Sequence, residues 1–292
     1  AKGGDSTGRG GKGGSGIYSQ KDLTISGATI GKWKTVGKTK TPDTDTGALG
    51  GTADAGPQGG RGIHSDGKID ITGGEIVNAK GGDGKVSGYS SSRGDGIYSA
   101  KKLTIMNDAT IGNAQGGDGK SYGGAGIFSG SDLVISGKAF IQNAKGGDSE
   151  DSGKLGGMGI CSTGILTIEG DAKIGKAQGG DGGSGTGGDG IVSSGKLTVS
   201  KDAKIHNATG GSGKGGGKGI FGWTTMEIAG TIKEAFGGKS TDTGDGGHGI
   251  LSNGDLTISD SATINNAKGG DSVDGSGGSG IRSDGIHGDG IH

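Results

Sequence analysis

Apolar residues along this chain come in short alternating sets. In one stretch the order is Gly-Ile-Tyr-Ser (96–99), Leu-Thr-Ile (103–105) and Ala-Thr-Ile-Gly-Asn-Ala (109–114), followed by a run dominated by glycine (116–126). An apolar-polar-apolar alternation has the period of a β-strand. Ile and Thr suit a pleated surface, and the Gly, Asp, Asn and Ser between the sets are turn formers. No set is long enough for a helix. Each stretch therefore predicts three short strands joined by turns.

The order recurs. A Gly-Ile anchor places Ile17, Ile63, Ile97, Ile127, Ile160, Ile191, Ile220, Ile250 and Ile281 at intervals of 46, 34, 30, 33, 31, 29, 30 and 31 residues. Such a period marks a solenoid. Three strands and their turns make one triangular coil, and stacked coils pair each strand with its copies about 4.8 Å above and below. Alternation assigns Leu103 and Ile105 to the interior and Thr104 to the exterior. The inward files then hold Leu23, Leu133, Leu166, Leu197 and Leu256, with Ile71, Ile111, Ile141, Ile174 and Ile205 beside them. The expected fold is all-β: a parallel β-solenoid of about nine coils of about 30 residues, a single repeat array over 1–292. Parallel crossovers favour a right-handed β-helix. The long first interval holds an insertion at 38–58 that carries both prolines, and no end caps are evident.

Polar files accompany the apolar ones. Asn78, Asn113, Asn143, Asn207 and Asn266 follow the third strand, and Ser19, Ser65, Ser99, Ser129, Ser162, Ser193, Ser252 and Ser283 close the first. Both predict ladders between coils. The glycine runs recur in every unit at similar length, which linkers have no reason to do. They predict a polyproline II-like layer on one side of the coil, bonded run to run because that conformation has no internal hydrogen bonds. Next to the anchor lies a mostly apolar, outward file that includes Tyr18, Tyr98, Phe128, Cys161 and Phe221. The glycine layer or another protomer covers it, or Tyr18, Tyr98, Phe128 and Phe221 form an interface or glycan-stacking column.

Composition sharpens this picture. Glycine supplies 79 of 292 residues and apolar residues only 27 %, against roughly 7 % and nearly half in an ordinary domain. The chain cannot bury one large core and must bury a thin one repeatedly. A net charge of -1, with 30 basic and 31 acidic residues interspersed, speaks against nucleic acid, which demands a basic surplus. No apolar stretch is long enough for a membrane span. One cysteine, Cys161, makes no disulfide framework.

Candidate chemistry is sparse. Asp83, Asp118, Asp148 and Asp181 recur after Gly-Gly, and stacked carboxylates would admit Ca²⁺ as the one cofactor. His64, His206, His248, His287 and His292 sit at different repeat positions and show no metal spacing. No catalytic set emerges, so no enzyme is expected. The outward threonines, among them Thr24, Thr167 and Thr257, are interrupted by Asp70 and Glu227, which breaks the regular array of an ice-binding surface.

The Gly-Gly-Asp-Gly-Ile string (187–191) and the Ile-x-Asn-Ala strings resemble repeats of surface-exposed parallel β-helix proteins: pectin-lyase-like adhesins, autotransporter passengers and chlamydial polymorphic membrane proteins. The glycine runs are similar to the polyglycine-helix layers of phage tail-tip adhesins. The chlamydial-type repeats carry Phe where this chain usually has Ile, and fewer glycines. No functional residue transfers. The resemblance implies an extracellular or cell-surface location. The expected function is structural, a fibre formed end to end or a piece of a longer array. The alternative is a glycan- or receptor-binding adhesin, with an ice-binding protein or a polysaccharide-degrading β-helix enzyme behind it.

Overall fold

The computed structural model describes residues 1–8, 11–36, 39–54, 56, 58–86, 94–151 and 154–285. His287 and His292, and parts of the proposed insertion, lie outside the described residues. Among those described there is no helix, hence none that could cross a membrane.

Three parallel sheets run the length of the molecule. The first has nine strands, from Ile17–Ser19 to Ile281–Ser283. The second has eight, from Leu23–Ser26 to Leu256–Ile258. The third has nine, from Thr29–Ile30 to Thr263–Lys268, including Ala48–Leu49 at one side. Every strand of the three pairs with the equivalent strand one coil away. Ile97 pairs with Ile127, Leu103 with Leu133 and Ile111 with Ile141. The chain is therefore a parallel β-solenoid, with regular turns from Ile63 to Ile281 and one longer turn before them.

Registered pairing makes the core. The anchor isoleucines Ile63, Ile97, Ile127 and Ile160 join Leu103, Ile105, Ile111 and their copies in one continuous buried cluster. A fully buried aliphatic side chain of this size contributes about 1.5–3 kcal/mol. Two alanine files fill the corners: Ala109, Ala139, Ala172 and Ala203 before the third strand, and Ala114, Ala144, Ala177 and Ala208 within it, all fully buried. At the C-terminal end the equivalents Leu256, Ile264 and Ile281 are only partly covered. In several coils the turn from the second to the third strand includes a left-handed residue, as at Gly137 (φ 66°) and Gly170 (φ 62°). Asn107 takes that place in one coil at φ 60°, a conformation Asn tolerates.

The serine file forms the expected ladder. Ser129, Ser162 and Ser193 donate Oγ–H to the carbonyls of Lys101, Ser131 and Gly164 in the preceding coil, at 2.9, 2.8 and 2.9 Å. The asparagine file is continuous only in part. Asn143 donates to Asn113 Oδ1 at 2.7 Å and Asn113 to Asn78 Oδ1 at 2.8 Å. Lys176 then interrupts it, and beyond the gap Asn207 donates to Glu234 at 2.8 Å.

Register also moves the insertion. Ile30 pairs with Ile76, and Ala48 pairs with Ala79. The additional residues thus lie between Gly31 and Gly47, earlier than the expected 38–58, and 48–53 belong to the regular coil. Within the insertion Trp33–Val36 and Thr39–Pro42 form an antiparallel hairpin. Asn78 anchors the segment that follows by donating to the carbonyls of Thr44 and Thr46, at 3.1 and 3.0 Å.

Among the described residues the glycine runs are hydrogen-bonded to one another. Within a coil the returning run donates to the outgoing one: Gly124 to Gly117 at 2.9 Å, Gly157 to Gly147 at 2.8 Å and Gly188 to Gly180 at 2.8 Å. Between coils the outgoing run donates to the previous returning run: Gly147 to Gly124 and Gly180 to Gly157, both at 2.8 Å. The two kinds alternate without a gap from Gly94 to Gly278. The approach is so close that a Cβ built on Gly147 would overlap the carbonyl oxygen of Gly117, and one on Gly180 that of Gly147. A hydrogen of each Cα points at that oxygen instead, the geometry of a Cα–H···O contact.

Candidate functional site

Three regions carry side-chain chemistry, and each is built by stacking. The first is the file beside the anchor isoleucines. Tyr18, His64, Tyr98 and Phe128 come from successive first strands, so their rings stand one coil apart. Ring centroids are separated by 4.9, 5.1 and 5.2 Å, and Tyr98 lies parallel to Phe128 within 3°. Further along, Cys161, Val192, Phe221 and Leu251 are buried in a second apolar cluster, against which Phe128 and Met158 pack. Lys218 places its ammonium 5.1 Å from the Phe221 ring centre. Of the residues expected to form an interface or glycan column, Phe221 is buried and Tyr98 is capped by the Arg61 guanidinium 3.5 Å from its centroid. Tyr18, 52 % exposed, is the ring of this column most open to solvent.

A polar cluster seals the exposed end of this file, and it was not anticipated. Arg61 donates Nε–H to Asp95 Oδ2 at 3.1 Å. Asp95 is buried, and its Oδ1 accepts the amide of Ala125 at 2.8 Å. Tyr18 donates its hydroxyl to Asp66 Oδ2 at 2.6 Å, and His64 Nε2 lies 3.0 Å from Asp66 Oδ1. The Tyr18 bond, more than His64 or Arg61, holds the Asp66 carboxyl below its ordinary range. Burial, and then the Arg61 charge, push the His64 imidazole below its usual value. A neutral ring has one protonated nitrogen. With the proton on Nε2 it donates to Asp66; with the proton on Nδ1, Nε2 accepts from Arg61 Nη1, 3.3 Å away. One tautomer cannot make both bonds. Asp66 accepts from Tyr18 in either case, and the cluster braces the rings. Tyr18 and His64 share one column of the repeat and Arg61 and Asp95 another, but the residue types in those columns change from coil to coil, so no periodic signal marks the cluster.

The second region is the aspartate file. Asp118 Oδ1 accepts the amide of Asp148 and Asp148 Oδ1 that of Asp181, each at 2.8 Å, while Asp83 Oδ1 accepts the amide of Asp118 at 2.9 Å. Each carboxylate thus ties its coil to the next. Desolvation, with Asp148 and Asp83 as like charges, raises the Asp118 carboxyl above its ordinary value, against the pull of the Asp148 amide. Oδ1 of Asp83, Asp118 and Asp148 is thus committed to the next coil, and Asp148 Oδ2 lies 3.9 Å from the Lys145 ammonium. Among the described residues no three or more His, Cys, Asp or Glu side chains are gathered so as to hold a metal ion.

Compared with known families, curated proteins and solved structures, the chain matches none. Its chemistry is therefore read from its own residues.

The third region is a pocket of about 190 Å³ where the insertion overhangs the third sheet. Pro42 and Thr44 come from the insertion; Gly112, Asn113 and Gln115 come from one coil and Gln142 and Asn143 from the next. The hairpin reaches this sheet because Gly112 carries no side chain: a Cβ there would lie 2.8 Å from Trp33 Cη2 and 3.3 Å from Pro42 Cγ. Trp33 is held by its Nε1–H, donated to Glu75 at 2.9 Å. Asparagine periodicity pointed to part of this wall, but no sequence signal placed the insertion above it.

Proposed function

We propose that this chain is a structural repeat protein of the cell exterior or cell surface, a stiff rod that forms or belongs to a fibre. The contrast between its flanks and its ends supports the reading. Along the flanks the serine, aspartate and glycine ladders satisfy their donors and acceptors from coil to coil. The strands at the two ends have a partner on one side only, and a strand edge of this kind is complemented best by another coil. That coil belongs either to a continuation of the array or to a second copy stacked end on. The runs of glycine form a polyproline II-like layer in this reading, and the layer stiffens the rod. The external setting rests on the resemblance of the repeat to surface-exposed β-helix proteins.

The test is electron microscopy and sedimentation over a rising protein concentration. Rods that lengthen in steps of the coil stack, at constant width, support the reading. Compact particles whose mass grows laterally contradict it.

A further inference from the structure

We propose that the amide-lined pocket beneath the insertion is a binding site for a single neutral sugar residue. This goes beyond the structural role and does not depend on it.

Polarity without charge is the first ground. Four of the seven lining residues are primary amides, Asn113, Gln115, Gln142 and Asn143, and Thr44 adds a hydroxyl; no lining residue is ionisable. A primary amide offers two N–H donors and a carbonyl acceptor in one plane, the combination that pairs with adjacent sugar hydroxyls. None of the seven lining residues supplies a counter-charge to a charged ligand.

Availability is the second ground. The asparagine ladder uses the Nδ2 of Asn143 and both ends of the Asn113 amide. It stops there, because the next coil carries Lys176 at the equivalent place. Asn143 Oδ1 is left at the ladder's end as an acceptor. The side-chain amides of Gln115 and Gln142 make no hydrogen bond to protein among the described residues, and both residues are half-buried. Half-buried amides without protein partners bond water in the free protein, and a ligand that reproduces those bonds can displace that water.

Shape is the third. Pro42 gives the pocket an apolar wall, suited to the C–H face of a pyranose ring. A volume of about 190 Å³ has room for one pyranose ring. The wall exists only where the hairpin leans over Gly112, so the site occurs once among the described residues. Insertions of this kind, carried on a rigid scaffold, are where binding residues concentrate.

The experiment is an NMR titration of the whole chain with glucose, galactose, N-acetylglucosamine and, as the charged comparison, glucuronate. The proposal predicts saturable shifts at Thr44, Gln142 and Asn143 with at least one neutral sugar, at a Kd of about millimolar. In Gln142→Leu the affinity falls at least about tenfold, the scale of one lost hydrogen bond. Gln178→Leu, a similar change elsewhere on the same sheet, leaves it unaltered and controls for folding. Three results overturn the proposal: no shift at these residues with any neutral sugar, tighter binding of glucuronate than of its neutral counterpart, or equal affinity in Gln142→Leu.

Discussion

The two halves of each coil are held by opposite means. In the three-strand half, cohesion comes from side chains: Ile111, Ile141 and Ile174 pair in register and exclude water. In the glycine half it comes from backbone alone, and its specificity lies in what is missing. The amides of Gly147 and Gly180 reach the carbonyls of Gly124 and Gly157 because no Cβ stands in the way. The first half tolerates any aliphatic residue of suitable volume, as Leu197, Met226 and Leu256 in one file attest. At its bonded glycines the second tolerates almost nothing, although by composition it resembles a linker. A glycine-rich segment is thus no measure of looseness; where the amides go is what decides.

Substitutions can break this contrast at either half. The largest effect is expected for Gly180→Val. Its Cβ would overlap the Gly147 carbonyl oxygen, and relief requires separating two coils. Chemical denaturation should show a loss of about 3 kcal/mol or more, or no cooperative transition at all. Ile141→Ala, in the fully buried third file, should cost about 2–5 kcal/mol and preserve a single transition.

Acid gives a smaller effect that is centred on the aromatic file. His64 and His248 both titrate below the ordinary histidine value of 6.5, each chiefly through burial. The unfolded chain therefore takes up protons first as pH falls, and stability declines from just below pH 6.5. Asp118 and Asp189, whose carboxyls are raised by burial, act in the opposite sense at lower pH, so the decline flattens there. Thermal melts from pH 7.5 to 4 should show it, and His64→Gln should reduce it. A melt that rises on acidification across the histidine range contradicts the assignment.

Gly215→Ala should have the smallest effect, within about 0.5 kcal/mol. A Cβ there meets nothing closer than Thr186 Oγ1 at 3.4 Å. A cost for Gly215→Ala comparable to that for Gly180→Val would mean that steric exclusion is not what distinguishes the bonded glycines.

Much of this was legible in the chain. Alternation in Leu103-Thr104-Ile105 gave the strand faces, and the Gly-Ile spacing gave the register that the sheets adopt. The serine ladder followed from its period. The insertion was misplaced because both prolines drew attention to 38–58, although Ala48-Leu49-Gly50-Gly51 repeats the Ala79-Lys80-Gly81-Gly82 of a regular coil. That string was the available signal. The cluster of Tyr18, Arg61, His64, Asp66 and Asp95 was not legible as a cluster, because its columns change residue type from coil to coil and its contacts occur once among the described residues. The same holds for the amide pocket, whose wall is supplied by the only hairpin among the described residues.

Amide hydrogen exchange resolved by residue compares the two halves most directly. Gly117, Gly147, Gly180 and Gly211 donate to glycine carbonyls at 2.7–2.8 Å, so their amides should be protected to the same degree as those of Ile111, Ile141 and Ile174 in the buried sheet. Exchange of these glycines at the rate of an unstructured peptide, beside a protected sheet, would contradict the bonded glycine half and leave only the aliphatic files to hold the coils together.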